Sequence, residues 1–313
     1  MNLSLDPSAV RHVGVIGLGA MGRGMAASLR RAGHHVHVFD VRPEAAQAFV
    51  AEGGTACATT AELGAACDIV VNVVVNAAQT EEVLFGRPAR VGQAADPGLL
   101  AGLREGALFI MCSTVDPNWS AELESRLADR GIHYLDAPIS GGAARAASGE
   151  MTMMTSGRPM AYERAAGVLE AMAAKVYRLG DRAGYGSKVK IINQLLAGVH
   201  IAAAAEAMAL GLREGVAADA LYEVITHSAG NSWMFENRMP HVLAGDYTPL
   251  SAVDIFVKDL GLVLDTARAT RFPLPLSATA HQMFLQASAA GHGREDDAAV
   301  IKIFPGITLP GSA

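Results

Sequence analysis

The sequence predicts an α/β fold: an amino-terminal parallel sheet with helices on both faces, one long central helix, and an all-α carboxy-terminal domain. Three observations carry this. Short continuous apolar runs alternate with helical patterns through the first half, as in a parallel sheet buried on both faces. A glycine-rich turn joins the first run to the first helical pattern. After Gly184 the strand signals cease and helical spacing takes over. The chain has 313 residues, room for two domains at roughly 150 residues each; these are assigned to 1–182 and 183–313, the change of character falling at 182–186.

The elements follow in order. Residues 12–17 (HVGVIG) read as a buried strand and 20–32 as a helix. Residues 35–39 (HVHVF) and 42–52 repeat the pair. Further strands are expected at 68–75 (DIVVNVVV) and 107–112 (ALFIMC), each followed by a helical pattern, and at 133–135 and 151–155. Residues 86–98 (GRPARVGQAADPG) are rich in Gly, Pro and Ala and read as a surface loop. Residues 187–214 form one long helix, with further helices at 219–228, 254–270 and 276–290. Turn signals at Gly245-Asp246, Phe272-Pro273 and residues 291–293 separate them.

Composition narrows the class. Apolar residues are 51% and charged residues 18%, which excludes a mainly disordered chain. The formal net charge is −6, where a nucleic-acid-coating protein carries a basic surplus. Cys57, Cys67 and Cys112 lack disulfide or metal spacing and read as reduced thiols of a cytoplasmic protein. Residues 1–10 show no basic region followed by an apolar one, so no secretion signal is expected. Residues 191–212 are apolar, but Asn193, Gln194, His200 and Glu206 within them are costly in hydrocarbon, so the stretch reads as a buried helix and no membrane association is expected. His34, His35 and His37 approach a strand whose alternate residues face opposite ways, and no metal site is expected.

The turn Gly17-Leu18-Gly19-Ala20-Met21-Gly22 follows a strand and opens a helix. In such a turn Gly17 allows the tight bend, Gly19 lets backbone approach a pyrophosphate, and Gly22 lets helix and strand pack closely. The helix amino terminus attracts the anion. Asp40 ends the second strand, near the roughly 20-residue interval expected for a ribose-binding acid. This context makes the first domain a Rossmann-type dinucleotide-binding domain. The Asp40 carboxylate accepts ribose hydroxyls and repels a 2′-phosphate, favouring NAD, although Arg42 nearby could accommodate that phosphate.

Residues 15–29 (VIGLGAMGRGMAASL), 136–142 (DAPISGG), 184–196 (GYGSKVKIINQLL) and 258–262 (KDLGL) together resemble the β-hydroxyacid dehydrogenase family, the 3-hydroxyisobutyrate dehydrogenases. They span nearly the whole chain in the family's order. Residues 230–262 look like the branch that oxidises a four-carbon sugar acid, L-threonate, at C2 with NAD. The resemblance implies a homodimer or homotetramer and a small-molecule hydroxyacid substrate.

It also implies roles. Lys190, at the start of the long helix, would take the hydroxyl proton; burial beside a positively charged nicotinamide would disfavour its ammonium form. Lys188, two residues earlier, lies on another face and is assigned to the surface. The family's Asn, four residues after its lysine, is here Gln194, with Asn193 one place earlier; either is a candidate substrate contact. Ser140, Gly141 and Gly142 leave backbone N–H groups uncovered and would hold the carboxylate; without a ligand they are simply a tight turn. Val74 and Val75 at one strand end, and Ser113 and Thr114 at another, would lie along the cofactor, with Thr114 near the nicotinamide ribose. Asp116-Pro117 reads equally as a helix cap and first turn. Lys258 would reach the cofactor, or form an exposed pair with Asp259. Asn231, Ser232 and Trp233 would offer hydrogen bonds to extra substrate hydroxyls, or Asn231 or Ser232 would cap a helix. Alternative substrates are 3-hydroxyisobutyrate and 2-hydroxy-3-oxopropionate. A cofactor-binding sensor without turnover is the non-enzymatic alternative, against which Lys190 and the 140–142 turn both count.

Overall fold

The computed structural model describes residues 9–89 and 95–311. Residues 1–8, within the stretch expected to carry no secretion signal, and residues 90–94 of the 86–98 loop lie outside the described residues. The chain separates into two compact units, Met1–Lys190 and Ile191–Ala313, a division inside the long helix.

The first unit holds a six-stranded sheet of β1 (His12–Ile16), β2 (His35–Phe39), β3 (Thr55–Ala56), β4 (Ile69–Asn72), β5 (Leu108–Met111) and β6 (His133–Asp136). Their spatial order is β3-β2-β1-β4-β5-β6, and every pair is parallel. The order reverses at β1 and β4, which places the ligand crevice beyond their carboxyl ends. β4 and β5 are buried throughout, which is why they read as nearly continuous apolar runs, interrupted only by the buried Asn72 at the end of β4. Val13, Val15, Ile110 and Leu135 pack on one face, and Ile16, Val70, Phe109 and Met111 on the other.

The helices of this unit are α1 (Gly22–Arg31), α2 (Pro43–Val50), α3 (Thr60–Ala66), α4 (Ala77–Phe85), α5 (Pro117–Ala128), α6 (Gly142–Ser148) and α7 (Pro159–Met172). Asp116 caps α5, accepting from the N–H groups of Asn118 and Trp119 at 2.8 and 3.0 Å. α6 lies on α1, where a Cβ at Gly24 would stand 2.7 Å from the Ala147 nitrogen and the Ser28 hydroxyl donates to the Ala146 carbonyl at 3.0 Å. In the 86–98 loop the buried Asp96 accepts from the Thr60 N–H and hydroxyl at 2.9 and 2.7 Å, so this end of the loop is tied down.

Two sequence expectations need correction. Residues 73–75 leave the sheet after Asn72, so the strand expected over 68–75 is shorter. Residues 151–155 do form a strand, β8 (Met151–Thr155), but in a second sheet with β7 (Ile139–Ser140) and β9 (Ala173–Arg178). There β8 runs antiparallel to β7 and parallel to β9. Met151 and Met153 on this strand are fully buried in the core.

The second unit is helical: most of α8 (Tyr185–Arg213), then α9 (Ala218–Thr226), α10 (Trp233–Ala244), α11 (Val253–Ala269) and α12 (Pro275–Ala287), ending in a 3₁₀ turn over Asp297–Ile303. Among the described residues α8 is long and apolar enough to cross a membrane. That composition serves packing, because Ile201, Ala205 and Met208 are fully buried in one core with Phe235, Met239, Phe256 and Phe284.

Candidate active site

The glycine turn sits where the sheet opens. Gly17 has φ +91°, which favours glycine, and its N–H donates to the Phe39 carbonyl at 2.9 Å. A Cβ at Gly22 would stand 1.8 Å from the Gly17 carbonyl oxygen, so that position accepts no side chain. A Cβ at Gly19 would meet no atom within 4 Å. The open space that a pyrophosphate needs therefore lies beside Gly19. Ala20 is exposed, Leu18 is buried and Met21 lies between these extremes. Met21, at the cap position of α1, accepts no N–H through its side chain, and the first turn holds no acid. The amino terminus of α1 thus keeps its positive end for an anion.

Asp40 follows β2, and its carboxylate receives the Leu18 N–H at 2.7 Å and the Arg42 N–H at 2.9 Å. Arg42 Nε adds a contact at 3.3 Å. Past β4 and β5, the Ser113 hydroxyl donates to the Val74 carbonyl at 2.5 Å. The N–H of the exposed Val75 donates to Gln79 Oε1 at 2.8 Å. Thr114 is half-buried beside the buried Ser113.

Ser140 ends β7 opposite Thr152. Gly141 and Gly142 follow with φ +136° and +76°. A Cβ at Gly142 would meet nothing within 4 Å, whereas one at Gly141 would stand 3.0 Å from Cδ of Arg145. The uncovered turn therefore has a guanidinium-bearing arm alongside it, which sequence reasoning missed.

Lys190 is buried and Lys188 exposed, the latter 4.8 Å above the Tyr185 ring. Sequence reasoning also missed what holds the start of this helix. The buried Asp136 carboxylate receives the N–H groups of Gly184 and Ser187 at 2.9 Å each, the Ser187 hydroxyl at 2.6 Å and the Ser156 hydroxyl at 2.9 Å. Burial pushes the Asp136 carboxyl up from its ordinary value, and these donors pull it back. An acid ending a strand, followed in the sequence by a glycine-serine helix start, was the available signal.

In the second unit the Gln194 amide is committed. Its Nε2 donates to Asp259 Oδ2 at 2.6 Å, and its Oε1 accepts from Asn193 Nδ2 at 3.0 Å. Lys258 pairs with the other Asp259 oxygen at 2.6 Å. Asp259 is buried and Lys258 partly so, which distinguishes them from a solvated surface pair. Gln194 is buried and Asn193 half-buried. Ser232 caps α10, accepting the Phe235 N–H at 3.0 Å. Asn231 Nδ2 donates to Glu236 Oε1 at 2.5 Å and to the Thr226 carbonyl at 3.2 Å, while Trp233 is exposed.

His12, His35 and His37 share one face, with His12 Nδ1 and His37 Nε2 3.0 Å apart, while His34 accepts from the Arg11 N–H at 3.3 Å. Among the described residues no group of three His, Cys, Asp or Glu side chains is arranged to hold a metal ion.

The family profile described as the NAD binding domain of 6-phosphogluconate dehydrogenase matches residues 12–180. A second, described as the NAD-binding region of NADP-dependent 3-hydroxyisobutyrate dehydrogenase, matches residues 184–304. An L-threonate dehydrogenase of Cupriavidus necator is 68% identical over 303 residues, covering 97% of this chain and 99% of that protein. The chain belongs to the β-hydroxyacid dehydrogenase family. Another member, an L-threonate dehydrogenase of Escherichia coli K12, is 54% identical, with 96% and 97% covered. A crystal structure described as 3-hydroxyisobutyrate dehydrogenase from Salmonella typhimurium superposes with a TM-score of 0.87 at 53% identity, covering 94% of this chain and all of that one. As a β-hydroxyacid dehydrogenase the protein is an oxidoreductase that uses a nicotinamide dinucleotide and acts on a small hydroxyacid.

Proposed function

We propose that this protein is an NAD-dependent L-threonate dehydrogenase, oxidising the C2 hydroxyl of a four-carbon sugar acid to the 2-oxo acid. The observation that carries the reading is the 68% identity, over nearly its full length, to a protein of that name. The cofactor chemistry fits the residues present: open space beside Gly19, an uncapped α1 terminus and a fixed carboxylate at Asp40. Gly17 to Gly22 would hold the pyrophosphate, Asp40 the adenosine ribose, and Val74, Val75, Ser113, Thr114 and Lys258 the remainder. When bound, the oxidised nicotinamide supplies the hydride acceptor.

The chain's own residues do the rest. Ser140, Gly141 and Gly142 anchor the substrate carboxylate with a hydroxyl and backbone N–H groups. Lys190, as the free amine, takes the C2 hydroxyl proton as the hydride leaves C2, so charge and atoms balance. Asn231, Ser232 and Trp233 face the additional hydroxyls, with Asn193 and Gln194 as further amide contacts. Asn193 Nδ2 and Gln194 Nε2 each give one N–H to a protein partner, and an amide nitrogen carries two, so both residues stay candidate donors to the substrate.

The domains 1–182 and 183–313 are assigned to cofactor binding and to substrate binding with oligomerisation. Exposed apolar residues on α8, Ile192, Leu196 and Leu210, support a homo-oligomer. Three buried free thiols suit the cytoplasm. Initial rates of NADH formation test the function on L-threonate, D-threonate, D-erythronate, 3-hydroxyisobutyrate and glycerate, each with NAD and NADP. The reading requires L-threonate with NAD to give the highest kcat/KM. Activity confined to 3-hydroxyisobutyrate or glycerate contradicts it.

A further inference from the structure

We propose that Asp136 is a positioning residue for Lys190: its buried carboxylate caps the amino terminus of α8 in trans and so fixes the height and rotation at which Lys190 is presented. The proposal rests on reading Lys190 as the proton acceptor.

A helix start leaves unbonded N–H groups, which its own cap residue normally serves. In α8 the first intrahelical bond, from the Lys188 N–H, reaches the Gly184 carbonyl at 2.9 Å, so Gly184 is the cap residue and has no side chain to offer. Nor could it carry one: its φ is +99°, and a Cβ would stand 2.8 Å from the Pro117 carbonyl oxygen. The caps come from the strands instead. Asp136 Oδ2 takes the Gly184 and Ser187 N–H groups, and Oδ1 takes the Ser187 hydroxyl. Ser156 Oγ takes the Gly186 N–H at 2.9 Å while donating to Asp136. A Cβ at Gly186 would stand 2.3 Å from the Met154 carbonyl oxygen, so the turn is pressed directly against β8.

The two side chains that serve these N–H groups stand at strand ends, Asp136 closing β6 and Ser156 just past β8. Asp136 ends β6, where its backbone exchanges bonds with Ser156 at 3.0 and 2.8 Å. Lys190 lies three residues beyond Ser187, on the same helix face and roughly 4.5 Å along the axis. A carboxylate buried among its donors costs folding free energy that an apolar group would not. What it supplies is a fixed origin for the helix, and a misplacement of about 1 Å at a reacting group costs about a hundredfold in rate.

The test compares Ser187→Ala, Ser156→Ala, Asp136→Asn and Lys190→Ala in the full-length protein, each checked for a cooperative thermal transition. Positioning predicts that Ser187→Ala lowers kcat about tenfold and Asp136→Asn about a hundredfold. The NADH dissociation constant stays unchanged, and the isotope effect on kcat with C2-deuterated substrate grows. A purely structural role lowers Tm and leaves kcat and the isotope effect of the folded protein where they were. Wild-type kcat in every folded clamp variant, beside an inactive Lys190→Ala, overturns the positioning role and spares the lysine. Wild-type kcat in Lys190→Ala overturns both. Should Asp136→Asn fail to fold, the two serine variants decide the matter alone.

Discussion

The backbone N–H of Leu18 donates to Asp40 Oδ2 across 2.7 Å. That bond ties the glycine turn to the acid that follows the neighbouring strand, so the two parts proposed to hold the pyrophosphate and the adenosine ribose are set relative to one another by the protein itself. Asp40→Ala is expected to raise the KM for NAD about tenfold, the loss of one charge-assisted contact. It also removes the carboxylate opposing a 2′-phosphate and releases Arg42. The ratio of kcat/KM for NADP over NAD should therefore rise, measured from initial rates with each cofactor.

The glycines of the turn make separable predictions. Gly19→Ala meets no protein atom within 4 Å, so the variant should keep its Tm and lose NADH affinity, read by fluorescence titration. Gly22→Ala places a methyl 1.8 Å from the Gly17 carbonyl oxygen, so it should lose both. Equal effects on Tm would contradict the assignment of Gly19 to ligand approach.

The Ser232 hydroxyl is taken up as the α10 cap, whereas Asn231 gives its Nδ2 to Glu236 and Thr226 and leaves Oδ1 buried without a donor among the described residues. Ser232→Ala removes the α10 cap and should cost about 1 kcal/mol in denaturant unfolding. Asn231→Ala is expected to raise the KM for L-threonate several-fold while leaving the KM for 3-hydroxyisobutyrate unchanged, since the latter lacks the extra hydroxyls.

A buried ion pair sets a pH dependence of stability. Asp297 accepts from Arg238 Nε at 2.5 Å, and burial raises its pKa from 3.8 to about 6. The folded state thus holds a proton between these values that the unfolded state has released. This group's favourable contribution is full below 3.8 and is lost as pH rises through about 6. Asp297→Asn should flatten that part of the stability profile between pH 4 and 6. Arg238→Ala strands a buried carboxylate and should cost about 3–5 kcal/mol at neutral pH.

Much of this architecture is legible in the residues. β1, β2 and α8 announce themselves by apolar runs and period, and Gly17 to Gly22 by its place between strand and helix. What hides is what depends on tertiary partners. β9 is mostly exposed and becomes a strand only by pairing with β8. α10 carries Pro240 within it, a residue that ordinarily argues against a helix. α3 is short, yet Thr59 accepts the Glu62 N–H at 3.1 Å and Glu62 reaches back to the Ala58 N–H at 2.7 Å, a capping pattern visible in the sequence and overlooked. At the candidate site, the family motif singles out Lys190, and the structure buries it. The Asp136 clamp is not legible, since its partners lie 20 to 51 residues away and only the fold brings them together.

The most direct measurement follows the hydride itself. L-threonate deuterated at C2 is incubated with NAD and the enzyme, and the reduced cofactor is examined by mass spectrometry. The account predicts one deuterium transferred per turnover, and loss of the transfer in Lys190→Ala. NADH formed without deuterium would place oxidation at another carbon and contradict a C2 dehydrogenase.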